Sequence, residues 1–412
     1  MNNLFKIAIR NLLRYKRRTL LTVSLITIGV IFVLVFVSIS GSFKAMMISQ
    51  ITDSMLGHVQ IHRRGYVASI DNLPLNLNLK PQAFKRLGDM LNSQTDVEAF
   101  SPRIKFGGMF SNFVETTNIR LNGVYPDREF KTAPLLTSRI IEGKKTLEKG
   151  EILIPVLLSR GMGVKLNDTI VIVATNQDGS VNGKQFTVSG ILESATGPGG
   201  RDGYIHIEDA QEILRMPEME VSEIAIRLKD FDKLNAYASR VESLLAAELN
   251  KQGKPIFEIH TWEKLSPFYN IARMIDVMTF FIKLMLIAIV LISIMNVMIM
   301  AVYERIREIG TIAAIGTLPG KILSLFVIEG FSLGLLGAVS GCVLGWIILY
   351  FLNIARITFN FGQQQGLILT ANIRTADLLA ISVTVIVVSV IASLQPAFKA
   401  SRLEPIEALR HV

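Results

Sequence analysis

The sequence has almost no cysteine. Cys342 is the only one among 412 residues, and it lies in an apolar stretch. An internal disulfide is therefore impossible, and the fold cannot depend on oxidation. A free cysteine in such surroundings is expected to pack as a small apolar side chain.

Motifs for nucleotide binding and catalysis are also missing. Residues 143–146 read Gly-Lys-Lys-Thr, like the end of a P-loop, but the first glycine of that motif would fall at Ser138. Residues 330–334 match G-x-S-x-G, yet they lie in an apolar run with no histidine nearby, so the strand–turn–helix of a nucleophile elbow is not expected. We expect a protein that is not itself an enzyme.

Metal ligands are scarce as well. His58 and His62 would share one face of a strand, but no acidic residue or cysteine follows close by in sequence to complete a site. We therefore expect a surface strand here and no metal.

Four long stretches contain almost no charge. Each is near the roughly 20 apolar residues that a spanning helix needs. The predicted transmembrane helices cover residues 19–43, 277–303, 322–352 and 377–398.

The positive charge lies beside these runs. The net charge is +9, and residues 1–18 contain six basic residues and no acid. By the positive-inside rule, this segment, residues 304–321 and residues 399–412 are expected in the cytoplasm. The first segment is either an amphipathic helix on the inner membrane surface or a simple topogenic flank. No motif for nucleic acid accompanies the charge.

Residues 44–276 differ in composition, because charges, Asn, Gly and Pro return. Period-two alternation predicts several strands, with helices between them. The last elements are a strand at 223–228, a helix at 232–250 and a strand at 256–261, which resemble half of a ferredoxin-like unit. An even number of spans places this α+β region outside the cell membrane, with a short outer loop at 353–376.

Two stretches carry a family resemblance. The first runs Tyr303-Glu304-Arg305-Ile306-Arg307-Glu308-Ile309-Gly310, then Ala314-Ile315-Gly316 and Glu329-Gly330. The second is the tail at 395–410, and residues 150–154, 166–168 and 207–210 add a weaker match in the outer region. Together they resemble FtsX-type ABC transporter permeases, the LolC/LolE and MacB group. The resemblance covers nearly the whole chain.

The resemblance implies a fold. We expect four transmembrane helices, with a large periplasmic α+β domain of the MacB-like Porter/Sabre type between helices 1 and 2. The Sabre-like insertion is expected at about residues 107–219. The family has Gly-Asp where this chain has Asn167-Asp168, a minor departure because Asn tolerates left-handed backbone.

The resemblance also implies site residues. The expected ATPase-coupling residues are Glu304, Arg305, Arg307, Glu308, Gly310, Gly316 and Pro319. The expected contacts of the cytoplasmic tail are Arg402, Glu404 and Pro405. The expected lining of a cavity for acyl chains is Phe36, Phe43, Met46, Met47, Met274, Met278, Phe281 and Met285; ordinary lipid-facing positions are the alternative.

Spacing alone adds two further expectations. Gly334, Gly337, Gly341 and Gly345 fall near one helix face and predict close helix packing. Glu329 is a costly charge within the third span. A structural pair with an inner-end arginine, or hydrogen bonds to a neighbouring helix, is favoured over a proton relay.

These observations predict a permease subunit without cofactors of its own. Two copies of a separate ATPase would bind ATP and Mg, and mechanotransmission through the helices would move the periplasmic domain. The expected cargo is a lipoprotein or another amphiphile in the bacterial inner membrane. The other expected partners are a second permease, identical or related, membrane lipid, and a periplasmic carrier or adaptor.

Two other functions stay open. One is efflux or secretion of a peptide, macrolide or toxin with a periplasmic adaptor. The other is FtsX-like signalling to a cell-wall hydrolase, although FtsX has a smaller outer domain than residues 44–276 would form.

Overall fold

A computed structural model describes residues 2–193, 202–356, 358–361 and 364–404. They form two compact units: a membrane unit (Met1–Lys44, Arg273–Thr358 and Ile368–Val412) and a soluble unit (Ala45–Ala272 and Phe359–Leu367).

The helices follow one another in chain order. They are α1 (Asn2–Arg14), α2 (Lys16–Ile51), α3 (Pro81–Ser93), α4 (Pro126–Thr132), α5 (Leu135–Ser138), α6 (Val156–Met162), α7 (Ile207–Ile213), α8 (Leu234–Leu245), α9 (Trp262–Leu265), α10 (Tyr269–Glu304), α11 (Ile306–Ala314), α12 (Pro319–Ile354) and α13 (Thr375–Ser401). A π-helical turn, Thr52–Leu56, follows α2.

The strands belong to two sheets. They are β1 (Val59–Arg63), β2 (Val97–Ser111), β3 (Thr116–Val124), β4 (Ile140–Gly143), β5 (Glu151–Pro155), β6 (Thr169–Thr175), β7 (Val181–Leu192), β8 (Asp202–His206), β9 (Glu223–Leu228), β10 (Phe257–Thr261), β11 (Thr358–Phe361) and β12 (Gln364–Ile368). The last two pair with each other.

Four helices in the described part of the chain are long and apolar enough to cross a membrane: α2 with its π-helical turn, α10, α12 and α13. Each helix is longer than the apolar run that predicts it; α10 begins at Tyr269 rather than 277. The apolar run reflects only the part that lies in lipid, whereas backbone hydrogen bonding continues beyond it. Outside the apolar runs, Lys44 Nζ donates to both carboxylate oxygens of Asp276 at 2.6 Å and so joins α2 to α10.

The glycines of α12 form a row against two other helices. A Cβ at Gly334 would lie 2.2 Å from Ser389 Oγ in α13. A Cβ at Gly337 would lie 2.4 Å from Ile26 Cγ2, and one at Gly341 2.6 Å from Val30 Cβ, both in α2. Gly345 approaches Leu34 in the same way, at 3.0 Å. The missing side chains therefore allow α12 to pack tightly against α2 and α13.

The soluble unit is built on a ten-stranded mixed sheet. Its strand order is β10-β1-β9-β2-β3-β8-β5-β7-β4, and β6 pairs with β2 and β7. The 15-residue strand β2 connects its two halves, because it pairs with β9 through Arg103 and with β6 from Gly108 onward. The strands at which the chain enters and leaves, β1 and β10, are antiparallel neighbours.

Helix α8 packs on this sheet through one face. Its buried residues, Leu234, Tyr237, Val241 and Leu245, recur at intervals of three or four, as expected for a half-buried helix. The helix ends at Leu245 rather than at 250 as predicted. The side chain of Asn250 instead accepts hydrogen bonds from the backbone of Gln252 and Lys254 in a turn.

Asn167 and the two histidines of the first strand region can be compared with what the sequence predicts. Asn167 adopts the left-handed φ of 66° expected where the family has glycine. The prediction of a surface strand at His58 and His62 is wrong, because both imidazoles are buried. His58 Nδ1 accepts from the Leu228 amide at 3.0 Å, and His62 stacks on Tyr66.

Candidate functional site: the coupling segment

The coupling segment, residues 304–321, joins α10 to α12 through two breaks. At the first, Arg305 leaves helical geometry with φ −117° and ψ 17°. At the second, Gly316 has a φ of 97°, a conformation that L side chains rarely adopt. Pro319 then begins α12, where its missing amide hydrogen costs nothing. The short helix α11 is therefore held at an angle between two corners of defined geometry.

The side chain of Arg305 points into the protein. Only 10% of it is exposed. Its Nη1 lies 3.2 Å from Glu329 Oε1 in α12, and its Nε donates to Glu308 Oε2 at 3.0 Å in α11. Arg305 thus links the corner to both helices that follow it, and its charge is not displayed to a partner.

Glu329 is the centre of this polar group. The same Oε1 atom accepts a hydrogen bond of 2.7 Å from Asn11 Nδ2 in α1. The carboxylate therefore has a cation and an amide as partners, which offsets the cost of burying it. The sequence predicted for Glu329 either an ion pair with an inner-end arginine or a hydrogen bond to a neighbouring helix. It makes both, with Arg305 and with Asn11 of α1.

Two further ion pairs join the coupling segment to the N-terminal region. Arg14 Nη1 lies 3.0 Å from Glu308 Oε1, and Arg18 Nη1 lies 2.6 Å from Glu304 Oε2. From sequence, these basic residues are expected only on the inner membrane surface or as a topogenic flank. Arg14 and Arg18 are four residues apart, as are Glu304 and Glu308. This matched spacing was the one sequence feature that could have indicated the two ion pairs.

The electrostatics of Glu308 follow from these contacts. The hydrogen bond from Arg305, with the charges of Arg305 and Arg14, outweighs partial burial and holds the pKa of the Glu308 carboxyl below its usual range. Glu308 therefore stays ionised and keeps both arginines paired at neutral pH.

The opposite side of the segment is apolar and exposed. Ile315 is 81% exposed and Leu318 65%, and Ile312 is also exposed. Ile309 and Gly310 are buried on the inner side. Arg307 is exposed as well. The segment thus has a buried inner side that contains the Arg305 ion pairs, and its exposed residues are mainly apolar but include Arg307.

The remaining predicted residues lie elsewhere. Arg402 and Glu404 are exposed beyond α13, and Pro405 lies outside the described residues. Phe36 and Phe43 in α2 and Met46 are half-buried. Met274, Met278, Phe281 and Met285 are exposed along α10.

The assignment of Met47 to an acyl cavity is wrong. The residue has no exposed surface and packs in the core of the soluble unit with Val59 and Ile61. Helix α2 does continue through Met47, but this part of the helix is buried by the soluble unit, and that change of environment had no sequence signal.

A second polar cluster lies inside the soluble unit. Arg103 forms two bonds to Glu129, of 2.7 and 3.0 Å, and one of 3.0 Å to Glu223. Lys105 Nζ and His62 Nε2 approach Glu223 at 2.9 and 3.5 Å. Burial opposes ionisation of Glu223, but Lys105, His62 and Arg103 together lower its pKa below the usual range. Among the residues described, no three His, Cys, Asp or Glu side chains are grouped to hold a metal ion.

Two protein families match this chain. The MacB-like periplasmic core domain matches residues 19–244, and the FtsX-like permease C-terminal domain matches residues 280–405. These matches and the four membrane helices define a multi-pass membrane permease. The chain belongs to the FtsX-type ABC transporter permeases of the LolC/LolE and MacB group.

Individual relatives span most of the chain. It is 27% identical to the lipoprotein-releasing system transmembrane protein LolC of Xylella fastidiosa, over 71% of this chain and 72% of that protein. It is 24% identical to LolC of Neisseria meningitidis, over 95% and 94%. The macrolide export ATP-binding/permease protein MacB of Nitrobacter winogradskyi is 29% identical over 56% of this chain but only 34% of its own length.

Proposed function

We propose that this chain is the non-catalytic permease subunit of an ABC transporter that extracts or releases a lipoprotein or another amphiphile from the bacterial inner membrane. A separate ATPase, in two copies, binds ATP and Mg and docks on the coupling segment. A second permease subunit, identical or related, completes the membrane part. A periplasmic carrier or adaptor takes up the cargo.

The observation that carries the proposal is the two-sided structure of the coupling segment. Its outer face exposes Ile312, Ile315 and Leu318, which is a surface suited to a protein partner. Its inner face holds Arg305, which is bonded to Glu308 and Glu329. A push on the outer face is therefore passed to α12 through the Arg305–Glu329 pair, and to α1 and α2 through Asn11, Arg14 and Arg18.

The lipoprotein cargo is supported by the relatives. Both LolC proteins match over most of their length, whereas the MacB match covers a third of a longer protein. Macrolide export is the second candidate, since MacB is the relative with the highest of these three identities.

The test is reconstitution of the full chain with a candidate ATPase and a candidate second permease from the same organism. We expect ATP-dependent release of an acylated protein to a soluble carrier, and no release of the same protein without its acyl chains. Ile315→Asp with Leu318→Asp should abolish copurification of the ATPase. The control is Val114→Asp, an equally exposed apolar residue of the soluble unit. Export of a macrolide without release of acyl-protein would contradict the proposal.

A further inference from the structure

A groove of about 410 Å³ opens between the ends of α10 and α13. Its floor is apolar and includes Val302 of α10, Ile306 of α11 and Pro396 of α13. Its rim carries Lys399 and Arg402. An occupant must therefore combine an apolar part with a polar head.

The rim attracts negative charge. No acidic residue of the described chain lines the groove, and both basic side chains are exposed. The Arg402 guanidinium lies over the Phe398 ring, 4.2 Å from its centre, which limits the freedom of the side chain. Tyr303 adds a phenol to the same lining. An arginine held in this way, next to a lysine, suits a phosphate oxygen pair.

The groove also lies at the depth of lipid headgroups. The apolar run of α10 ends where Glu304 follows Tyr303, and the apolar run of α13 ends at Lys399. The floor consequently belongs to the last turns that lie in hydrocarbon, and the rim to the first polar turn. Basic pockets between membrane helices at this depth bind the headgroups of anionic lipids.

We propose that this groove binds an anionic phospholipid, with its phosphate at Lys399 and Arg402 and an acyl chain on the apolar floor. The lipid connects the end of α13 to the first residue of α11. Bilayer composition would thereby affect the position of the coupling segment. The inference goes beyond the proposed function, since lipid binding needs neither the ATPase nor cargo. It also gives Arg402, expected only as a contact of the cytoplasmic tail, a specific ligand.

The experiment uses the purified full chain in detergent. Binding of phosphatidylglycerol and of phosphatidylcholine with the same acyl chains is titrated by native mass spectrometry. The test variant is Lys399→Gln with Arg402→Gln. The control is Lys16→Gln with Arg374→Gln, which removes two exposed charges of the same unit that do not line the groove. All four positions are exposed, so folding should be retained.

We expect the test variant to bind phosphatidylglycerol roughly 25-fold more weakly, about fivefold for each charge. Phosphatidylcholine binding and the control variant should be unchanged. Equal loss in the control, or equal binding of glycerophosphate without acyl chains, would overturn the proposal. So would loss of ATPase copurification with unchanged phosphatidylglycerol binding, since the groove would then be a protein-docking surface.

Discussion

Arg305 Nη1 and Glu329 Oε1 lie 3.2 Å apart, and they join the first corner of the coupling segment to the interior of α12. The pair is nearly excluded from solvent, with side chains 10% and 3% exposed. Because Asn11 donates to the same oxygen, three separate parts of the membrane unit meet at one carboxylate. A substitution at Glu329 should therefore affect the corner at Arg305, α12 and α1 together.

Removal of Arg305 alone should cost more than removal of both partners. Arg305→Gln leaves the buried Glu329 carboxylate without its cation, at a cost of about 3 kcal/mol. Glu329→Gln should cost less, because Arg305 keeps Glu308 as a partner. The double variant leaves no such charge. The measurement is the unfolding midpoint of the four proteins of this cycle in detergent. Strictly additive losses would show that the two groups do not interact.

The Arg18–Glu304 ion pair should matter more for cargo release than for the stability of the fold. Arg18→Glu places two carboxylates together, and we expect cargo release to fall up to about fivefold, since a partly exposed pair contributes up to about 1 kcal/mol. Arg18→Glu with Glu304→Arg should restore most of the release. Lys16→Glu is the control, because it puts the same charge at an exposed position of the same helix. Cargo release and ATP hydrolysis are measured together. If the charge-swapped double variant does not regain release, the Arg18–Glu304 ion pair does not transmit movement.

The glycine row of α12 should not accept a methyl group. Gly337→Ala puts a Cβ 2.4 Å from Ile26 Cγ2, so α12 and α2 must separate. Overpacking of this kind costs about 1–3 kcal/mol. Gly41→Ala in α2 meets no atom of the described residues within 4 Å and is the matched control. Thermal denaturation in detergent should show a lower midpoint for the first variant only.

Acid should weaken the soluble unit through Glu223. The pKa of this carboxyl is depressed in the fold, so its stabilisation is complete above its ordinary value of 4.5 and is lost as the pH falls below it. Trp346→Phe leaves the buried Trp262 as the only tryptophan, and its fluorescence then reports this unit alone. In urea, the unfolding midpoint should drop between pH 5 and 3.

Glu223→Gln separates this carboxyl from the many others that titrate in the same range. The variant should be less stable at pH 7, because Lys105 loses its buried partner, and its midpoint should fall less steeply with acid. Glu218→Gln, at an exposed position, should follow the parent curve. If the unfolding midpoint of Glu223→Gln falls with pH as steeply as that of the parent, the lowered pKa assigned to the Glu223 carboxyl is contradicted.

Periodicity and charge predicted what depends on local sequence. The apolar runs indicated four helices, and the repeat of Gly334, Gly337 and Gly341 marked positions where α12 packs closely against its neighbours. Helix ends could not be predicted as well, because backbone hydrogen bonding continues past the apolar residues, as at Tyr269.

Contacts between distant residues could not be predicted in this way. Asn11 and Glu329 are 318 positions apart, and neither alternation nor charge pattern connects them. His62 looked like a surface residue because its partner, Glu223, comes from a strand far along the chain. The environment of Met47 was likewise decided by the fold of later residues.

The pairing of β1 with β10 has a consequence for how such proteins diversify. Val59 faces Thr261, so the polypeptide goes in and comes out of the soluble unit through adjacent strands, with Cα atoms about 5 Å apart. Recombination at these two points would exchange the whole intervening segment as a cassette. A soluble unit with different side chains could thus be joined to the same membrane helices in a single genetic event.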